Sequence, residues 1–566
     1  MVRLACFILT TAVSAATLPD PLAAQQQPSN RVSTVVESAD ELYRQLDYAM
    51  NLTTPQEQGQ TKNIKDHFDV FLIGVNRQQP GRMDLVIDGQ PFRYQLAVPV
   101  QNLQNFRANN LVPLGLANRQ IAKTLYRFHN KVWNGFMRFD PATSYATFGE
   151  LAADVPPTLP DPRLAIQPVL GRGYDAAFDL ETDNPAPAAQ QQRRDFFNQA
   201  QGVRDTMLSA LVQGQNESAD QFALRKLTVE HQLDELERLY GEASQAQIGW
   251  TLDPRQQQGR FELAVTPIPE TELANMVAAL GQESSRFAGI PRSEAPVLSA
   301  RINHPLDAMR QDNFRETYRM LADIAKKDIA ADNERNADQK RASNTLVDRI
   351  FDLLDANLRA GLAEGFAEVW PEGERHTGVV GMRSTDGTKA VQIIQDLPAT
   401  RTGRQAQLDV VEEHGDVRIH EIQITEADHP GYRDFFGDNK LYVGSSPEVV
   451  WFAAGPKSIE ALKTAIDQAA QPAGNRPIEP AVQFLVRLRP WVELAHKRIG
   501  VGGDPQREKW RRLALEAFEP RDDVIELTIN RKEANLGGQM IVQPGLLRYI
   551  GKMFADFSRE NLEARP

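Results

Sequence analysis

Four times along this chain a short β-rich run reaches a proline and gives way to a segment with helical spacing. Phe92 to Pro99 (FRYQLAVP) leads into 101–109, and Phe261 to Pro267 (FELAVTP) into 270–280. Val449 to Pro456 (VVWFAAGP) leads into 457–469, and Gln539 to Pro544 (QMIVQP) into 545–557. Proline has no N–H to give to a sheet ladder, so it closes a strand, and its fixed φ suits a helix start. Downstream, Ile459, Leu462, Ala465 and Ile466 recur at helical spacing. A further strand signal lies upstream of two of these prolines. Thr251-Leu252-Asp253 begins 16 residues before Pro267, and Thr528-Ile529-Asn530 begins 16 before Pro544. That spacing sets Leu252 against Ile529, Leu263 against Met540 and Val265 against Val542. It predicts a repeated β-hairpin-plus-helix module.

Between these modules the pattern is helical. Residues 188–214 and 218–240 read as a helical hairpin broken at Gly214-Gln215-Asn216, with Phe222, Leu227, Leu233, Leu236 and Tyr240 striping the second arm. Residues 307–362 are amphipathic at both ends and polar in the middle (KKDIAADNERNADQKRASN), which predicts an extended, mobile helical arm. A further hairpin is signalled at His414-Gly415, between 408–413 and 417–424, and Ser384–Gly387 signals a turn from a strand at 379–383 into a helix at 388–397. Antiparallel hairpins interspersed with helices define an α+β class rather than a doubly wound parallel sheet. Pro-rich joints at 155–168 and 470–480 are the best boundaries. The expected division is a signal segment 1–24, α+β modules at 25–157 and 158–305 (the second holding a helical hairpin at 188–240), a helical arm 306–362, and α+β modules at 363–470 and 471–566.

The N-terminus reads as an export signal. Met1-Val2-Arg3 precedes the apolar run Leu4 to Ala16, then small residues and TLPDPLAAQQQPSN. A run of 13 residues is shorter than the roughly 20 a bilayer span needs, and it fits the apolar region of a signal peptide cleaved after Ala16 or Ala24. The one cysteine of the chain, Cys6, lies inside it. The mature chain is then thiol-free, which removes disulfides, thiolate metal sites and cysteine nucleophiles together. A net charge of −12 argues against a phosphate-backbone footprint. The basic stretch Arg507–Arg512 reads as a solvated helix face.

No motif of known chemistry survives inspection. Glu412, Glu413, His414, Asp416, His420, Glu421, Asp428 and His429 are metal-ligating types in one short stretch. A hairpin turning at His414-Gly415, however, separates His414 from His420 by roughly 15–20 Å. His420-Glu421 begins like a zincin motif, but Ile424 stands where the second histidine belongs. Gly-x-Ser-x-Gly is absent, and Gly500–Asp504 lacks the strand-to-helix context of a dinucleotide turn. Asp179–Asn184 lacks the glycine and terminal glutamate of an EF-hand loop. Trp133, Phe136, Phe139, Tyr145 and Phe148 read as sheet core around a turn at 140–143.

The strand–proline–helix units, the His414-Gly415 hairpin and KLYVGSSPEVVWFAAGPKSIEALKTAI (Lys440 to Ile466) resemble exported bacterial proteins built from repeated hairpin–helix modules. That resemblance implies the fold class and no functional residue. No catalytic, cofactor-binding or metal residue is assigned, and no cofactor is expected. The expectation is a non-enzymatic exported protein of the cell envelope that binds a protein partner or small ligand across its β-faces, with no nucleic acid and no transmembrane segment after signal removal. The rivals are a hydrolase or metal-dependent enzyme whose site is assembled from distant residues, such as His376 with the 412–429 cluster, and a structural envelope component.

Overall fold

The computed structural model describes residues 30–562, apart from 88–92, 113–116, 130–133, 159, 183–184, 201, 215–216, 401–407, 425–430, 472–479 and 499–504. The signal segment, Cys6, Trp133, His429 and the 500–504 glycine run therefore lie outside the described residues. The chain forms two compact units, both discontinuous. The first is Met1–Phe196, Tyr240–Ile268 and Ile541–Pro566; the second is Phe197–Leu239 and Pro269–Met540.

The first unit contains β1 (Asn30–Val36), β2 (Gly81–Ile87), β3 (Arg93–Pro99), β4 (Ala117–Gln120), β5 (Leu125–His129), β6 (Asn134–Asp140), β7 (Tyr145–Gly149), β8 (Ala176–Glu181), β9 (Ala243–Asp253) and β10 (Gln258–Pro267). Their order is β4-β5-β6-β7-β3-β2-β1-β8-β9-β10, with every neighbour antiparallel. The second contains β11 (Leu298–Pro305), β12 (Leu362–Glu372), β13 (Arg375–Arg383), β14 (Leu408–His414), β15 (Val417–Gln423), β16 (Lys440–Ser445), β17 (Val449–Ala454), β18 (Val482–Arg487), β19 (Val524–Lys532) and all but the last two residues of β20 (Asn535–Val542). Their order is β14-β15-β16-β17-β13-β12-β11-β18-β19-β20. Numbered from the first strand of each unit, the two orders are the same. Helices interleave with antiparallel strands in both, so the fold is α+β.

The match extends to hydrogen bonds outside the ladders. Glu37 N donates to Asp175 O at 2.8 Å, as Asn303 N does to Ala481 O at 2.8 Å. Val100 N to Ser144 O corresponds to Ser384 N to Glu448 O, both 2.8 Å. Thr182 N to Ser244 O (3.1 Å) corresponds to Leu488 N to Asp523 O (3.0 Å).

All four strand–proline–helix junctions form. Pro99 and Pro267 end β3 and β10, with the helices Leu103–Phe106 and Glu272–Ala279 capped by Asn102 and Thr271. Pro544 opens the Pro544–Asn561 helix. After β17, Gly455 makes the turn at φ +94°, where a Cβ would overlap the His376 carbonyl, before the Ser458–Ala470 helix begins. That helix covers a core of Trp451, Phe366, Phe287, Ile419, Leu462 and Ile466 in the second unit.

Two helical expectations are corrected. Residues 307–362 do not form an extended arm. They fold into antiparallel helices, Ala308–Ala331 and Ala337–Arg359, because Asp332 stops the first and an Asn336/Gln339 capping box starts the second. The polar middle tightens this hairpin: Lys326 reaches Asp348 at 2.5 Å, Arg315 reaches Asp355 at 2.7 Å, and Lys340 Nζ donates to Ala330 O at 2.6 Å. The first arm of the other helical hairpin is itself split into Pro187–Asn198 and Val203–Ser209, while Ala219–Glu242 forms its second arm.

The last helix of the chain belongs to the first unit. Pro544–Asn561 packs Ala555 beside Met50 and Ile64, and Lys552 Nζ binds the Glu57 carboxylate at 3.0 and 3.2 Å. Gly551 lies where any Cβ would overlap the Ala49 carbonyl.

Candidate functional site

Antiparallel register fixes which side chains share a sheet face, because directly paired residues point the same way. In the first unit one row of pairs runs Tyr126–Met137–Phe148–Leu96–Met83–Thr34–Phe178–Ile248–Leu263, from β5 to β10. Eight of its nine side chains are apolar. At the β5–β7 end, Phe106 and Leu111 pack over Tyr126, Met137 and Phe148, which are all buried. Further along, among the described residues, the row is less covered: Phe178 is 39% exposed and Ile248 46%.

The opposite face has reversed polarity. One residue further on each strand, the pairs run Gln95–Asp84–Ser33–Asp179–Gln247. Asp84, Ser33, Asp179 and Gln247 are nevertheless buried. The helix Pro162–Leu170 and Tyr174 close this side by packing Ile166, Val169 and the Tyr174 ring on Val35 and Ala177, and Gly249 leaves room for that ring. The polar groups pair internally. Ser33 Oγ donates to Asp84 Oδ1 at 2.6 Å, and Arg82 binds both, Nε to Asp84 at 2.7 Å and Nη2 to Ser33 at 3.0 Å. Asp179 accepts from Gln245 at 3.0 Å. Burial still pushes its carboxyl above the ordinary aspartate value. A sheet that buries its polar side and leaves its apolar side half open is unusual for a closed core, and exposed apolar patches mark contact sites.

The second unit has a corresponding row: His420–Val443–Phe452–Val380–Ala367–Ala300–Phe484–Leu527. Beneath it lies a matching polar group, Ser299 donating to Glu368 at 2.6 Å with Arg301 at 3.3 Å. Ile302 and Met382 on the apolar side are each 42% exposed.

The sequence-level candidates separate. The hairpin turns at Gly415-Asp416 rather than His414-Gly415, with Gly415 at φ +61°, and a bulge between Val410 and Glu412 shifts the register, so Val410 faces His420. His414 Nε2 pairs with Asp467 at 2.8 Å. His420 is buried with Nε2 unpartnered; burial and then Arg418 lower its pKa. His376 stacks on Phe435 at 4.2 Å and holds its backbone carbonyl at 3.3 Å. Of the Asp179–Asn184 stretch, 179–181 end strand β8 and 183–184 lie outside the described residues; Phe136, Phe139, Tyr145 and Phe148 fall in the β6–β7 hairpin.

Among the described residues, one acid or histidine trio brings its ligand atoms within 4.8 Å: Glu37, Glu41 and Asp175 in the first unit. Burial pushes the Asp175 carboxyl up to about 6; the Leu252 N–H opposes this, and Glu41 and Glu37 add to it. Arg44 pairs with Glu41 on the same cluster. Sequence reading passed over this trio because Asp175 lies far along the chain from the other two.

Among the described residues no helix is long and apolar enough to cross a membrane. Comparison of the chain with protein-family models, characterised proteins and solved structures finds no match.

Proposed function

We propose that this chain is an exported, non-catalytic binding protein whose half-open apolar sheet face in the first unit takes an apolar ligand. One observation carries the reading. Phe178 and Ile248 sit side by side on the paired strands β8 and β9, 39% and 46% exposed, in a row whose other members are nearly all apolar, while the polar face behind them is buried. Apolar surface left open at such a position costs about 25 cal/mol per Å2 until something covers it. A non-polar guest also needs no partner for hydrogen bonding along this row. The export half of the proposal rests on the N-terminal Leu4–Ala16 run.

The test uses the chain lacking residues 1–24, titrated with a fluorescent fatty acid such as 11-dansylaminoundecanoic acid. The expected result is saturable binding with a blue-shifted emission, weakened at least tenfold in Phe178→Ser. Absence of saturable binding, or unchanged affinity in that variant, overturns the reading. N-terminal mass analysis of the native protein tests export independently, and a chain still beginning at Met1 refutes it.

A further inference from the structure

The equivalence of the two units allows each to serve as the control for the other. An ion pair that one unit holds and the other replaces by prolines is not required by the fold. Glu364 and Arg383 are such a pair. Glu364 faces Asn303 at the edge of β12, and Arg383 faces Val449 at the end of β13. Carried onto the first unit through the matched registers, these positions are Pro80 and Pro99. With Glu364 buried but Arg383 40% exposed, water screens the attraction and the pair adds little to stability. Its presence in one unit alone points to another use.

Arg383 lines a cleft of about 360 Å3 within the second unit. Glu364, with its side chain 1% exposed, binds Arg383 Nη1 at 3.3 Å and accepts from Ser285 Oγ at 3.0 Å. Asn357 spends its Oδ1 on Thr385 N at 2.8 Å and Thr385 Oγ1 at 3.1 Å, so its amide N–H groups remain to donate. Asn303 donates to Glu283 O at 2.7 Å, so its Oδ1 remains to accept. Arg383, Asn303 and Asn357 all line the cleft, with Gly361 and Ala279 forming narrow walls.

We infer that this cleft is a binding site for a neutral, polyhydroxylated ligand, a mono- or disaccharide. Its lining charges are nearly balanced by pairing: Arg383 lies 3.7 Å from Glu283 and 3.3 Å from Glu364 outside the lining, and Glu448 is paired with Arg286, also outside it. An anion meets the Glu283 and Glu448 carboxylates, and a cation meets the Arg383 guanidinium. Hydroxyls, which donate and accept at once, satisfy both the Asn357 amide donors and the Asn303 amide acceptor of the same cleft. The volume is about that of a dozen waters, enough for one or two sugar rings. The inference does not depend on the apolar face proposed above.

Saturation-transfer NMR on the chain lacking residues 1–24, with glucose, galactose, N-acetylglucosamine and maltose as probes, tests it. The expected result is transfer to at least one sugar, reduced at least fivefold in Ala279→Trp, which fills the cleft from an exposed helix position. Asn357→Ala is expected to reduce it likewise. Fatty-acid binding is unaffected in Ala279→Trp. Absence of transfer to all four sugars, or transfer undiminished in Ala279→Trp, overturns the assignment.

Discussion

Replacing Lys552 by methionine tests whether the last helix of the chain completes the first unit. Lys552 is 4% exposed and Glu57 7%, and the ammonium lies 3.0 Å from one carboxylate oxygen and 3.2 Å from the other. Glu57 also accepts from Thr54 N at 3.0 Å and Thr54 Oγ1 at 2.8 Å, closing a capping box. Burial by itself would raise the Glu57 pKa; the Thr54 backbone N–H and then Lys552 outweigh it and hold the carboxyl below its ordinary value. Methionine fills the volume and removes the charge. The buried carboxylate is then left unpaired, at a cost of about 3–5 kcal/mol. Protonation sets a ceiling: forcing a glutamate of ordinary pKa near 4.3 neutral at pH 7 costs about 3.7 kcal/mol, and at pH 5 only about 1 kcal/mol. The expected loss is therefore about 3–4 kcal/mol at pH 7, shrinking on acidification. In the parent protein the sign is opposite. The Glu57 pKa is lowered on folding, so its contribution is present above the unfolded value and lost as pH falls through the folded one. Urea unfolding at pH 7 and pH 5, with hydrogen exchange across 544–561, measures both. Glu57→Gln with Lys552→Met is expected to recover most of the loss. A single variant that loses less than about 1 kcal/mol at both pH values refutes the argument.

Phe178 has about 80 Å2 of open surface if its side chain spans about 200 Å2, so covering it contributes about 2 kcal/mol to ligand binding. Phe178→Ser and Ile248→Ser are therefore each expected to weaken fatty-acid affinity tenfold or more while urea midpoints move little. Gly455→Ala is expected to destabilise by more than about 1 kcal/mol, because φ is +94° and the Cβ meets the His376 carbonyl; circular dichroism on heating reads this. The Asp175 carboxyl, raised to about 6 by burial, opposes folding above that pH, and the penalty vanishes as pH falls below the unfolded value near 3.9. Stability is thus expected to gain from this group as pH drops from 7 to 4, and Asp175→Asn is expected to flatten that part of the profile in urea titrations.

The sequence by itself determined the local pieces. Proline at the end of β3 and β10, and at the start of the 544–561 helix, fixed strand-to-helix junctions, since a missing N–H and a locked φ act within a few residues. Hairpins such as β14–β15 were legible for the same reason, although the bulge at Val410 moved the register. The helical break at 332–336 was not seen: long polar stretches read as solvent-facing until a facing helix supplies partners such as Asp348 for Lys326.

Tertiary structure alone decided the rest. The matching order of the two units depends on β1 meeting β8, β3 meeting β7 and their counterparts, contacts between segments far apart in the chain that no local periodicity encodes. It also sets Trp250, rather than Leu252, against Ile529. The candidate apolar face was hidden for a related reason. Alternation tells which residues of β1 share a side, but not which side is covered. Ser33 is buried because Asp84 and Arg82 satisfy it across the sheet and the 162–170 helix closes over that side. Phe178 stays half open because no described element covers it as Phe106 and Leu111 cover the β5–β7 end.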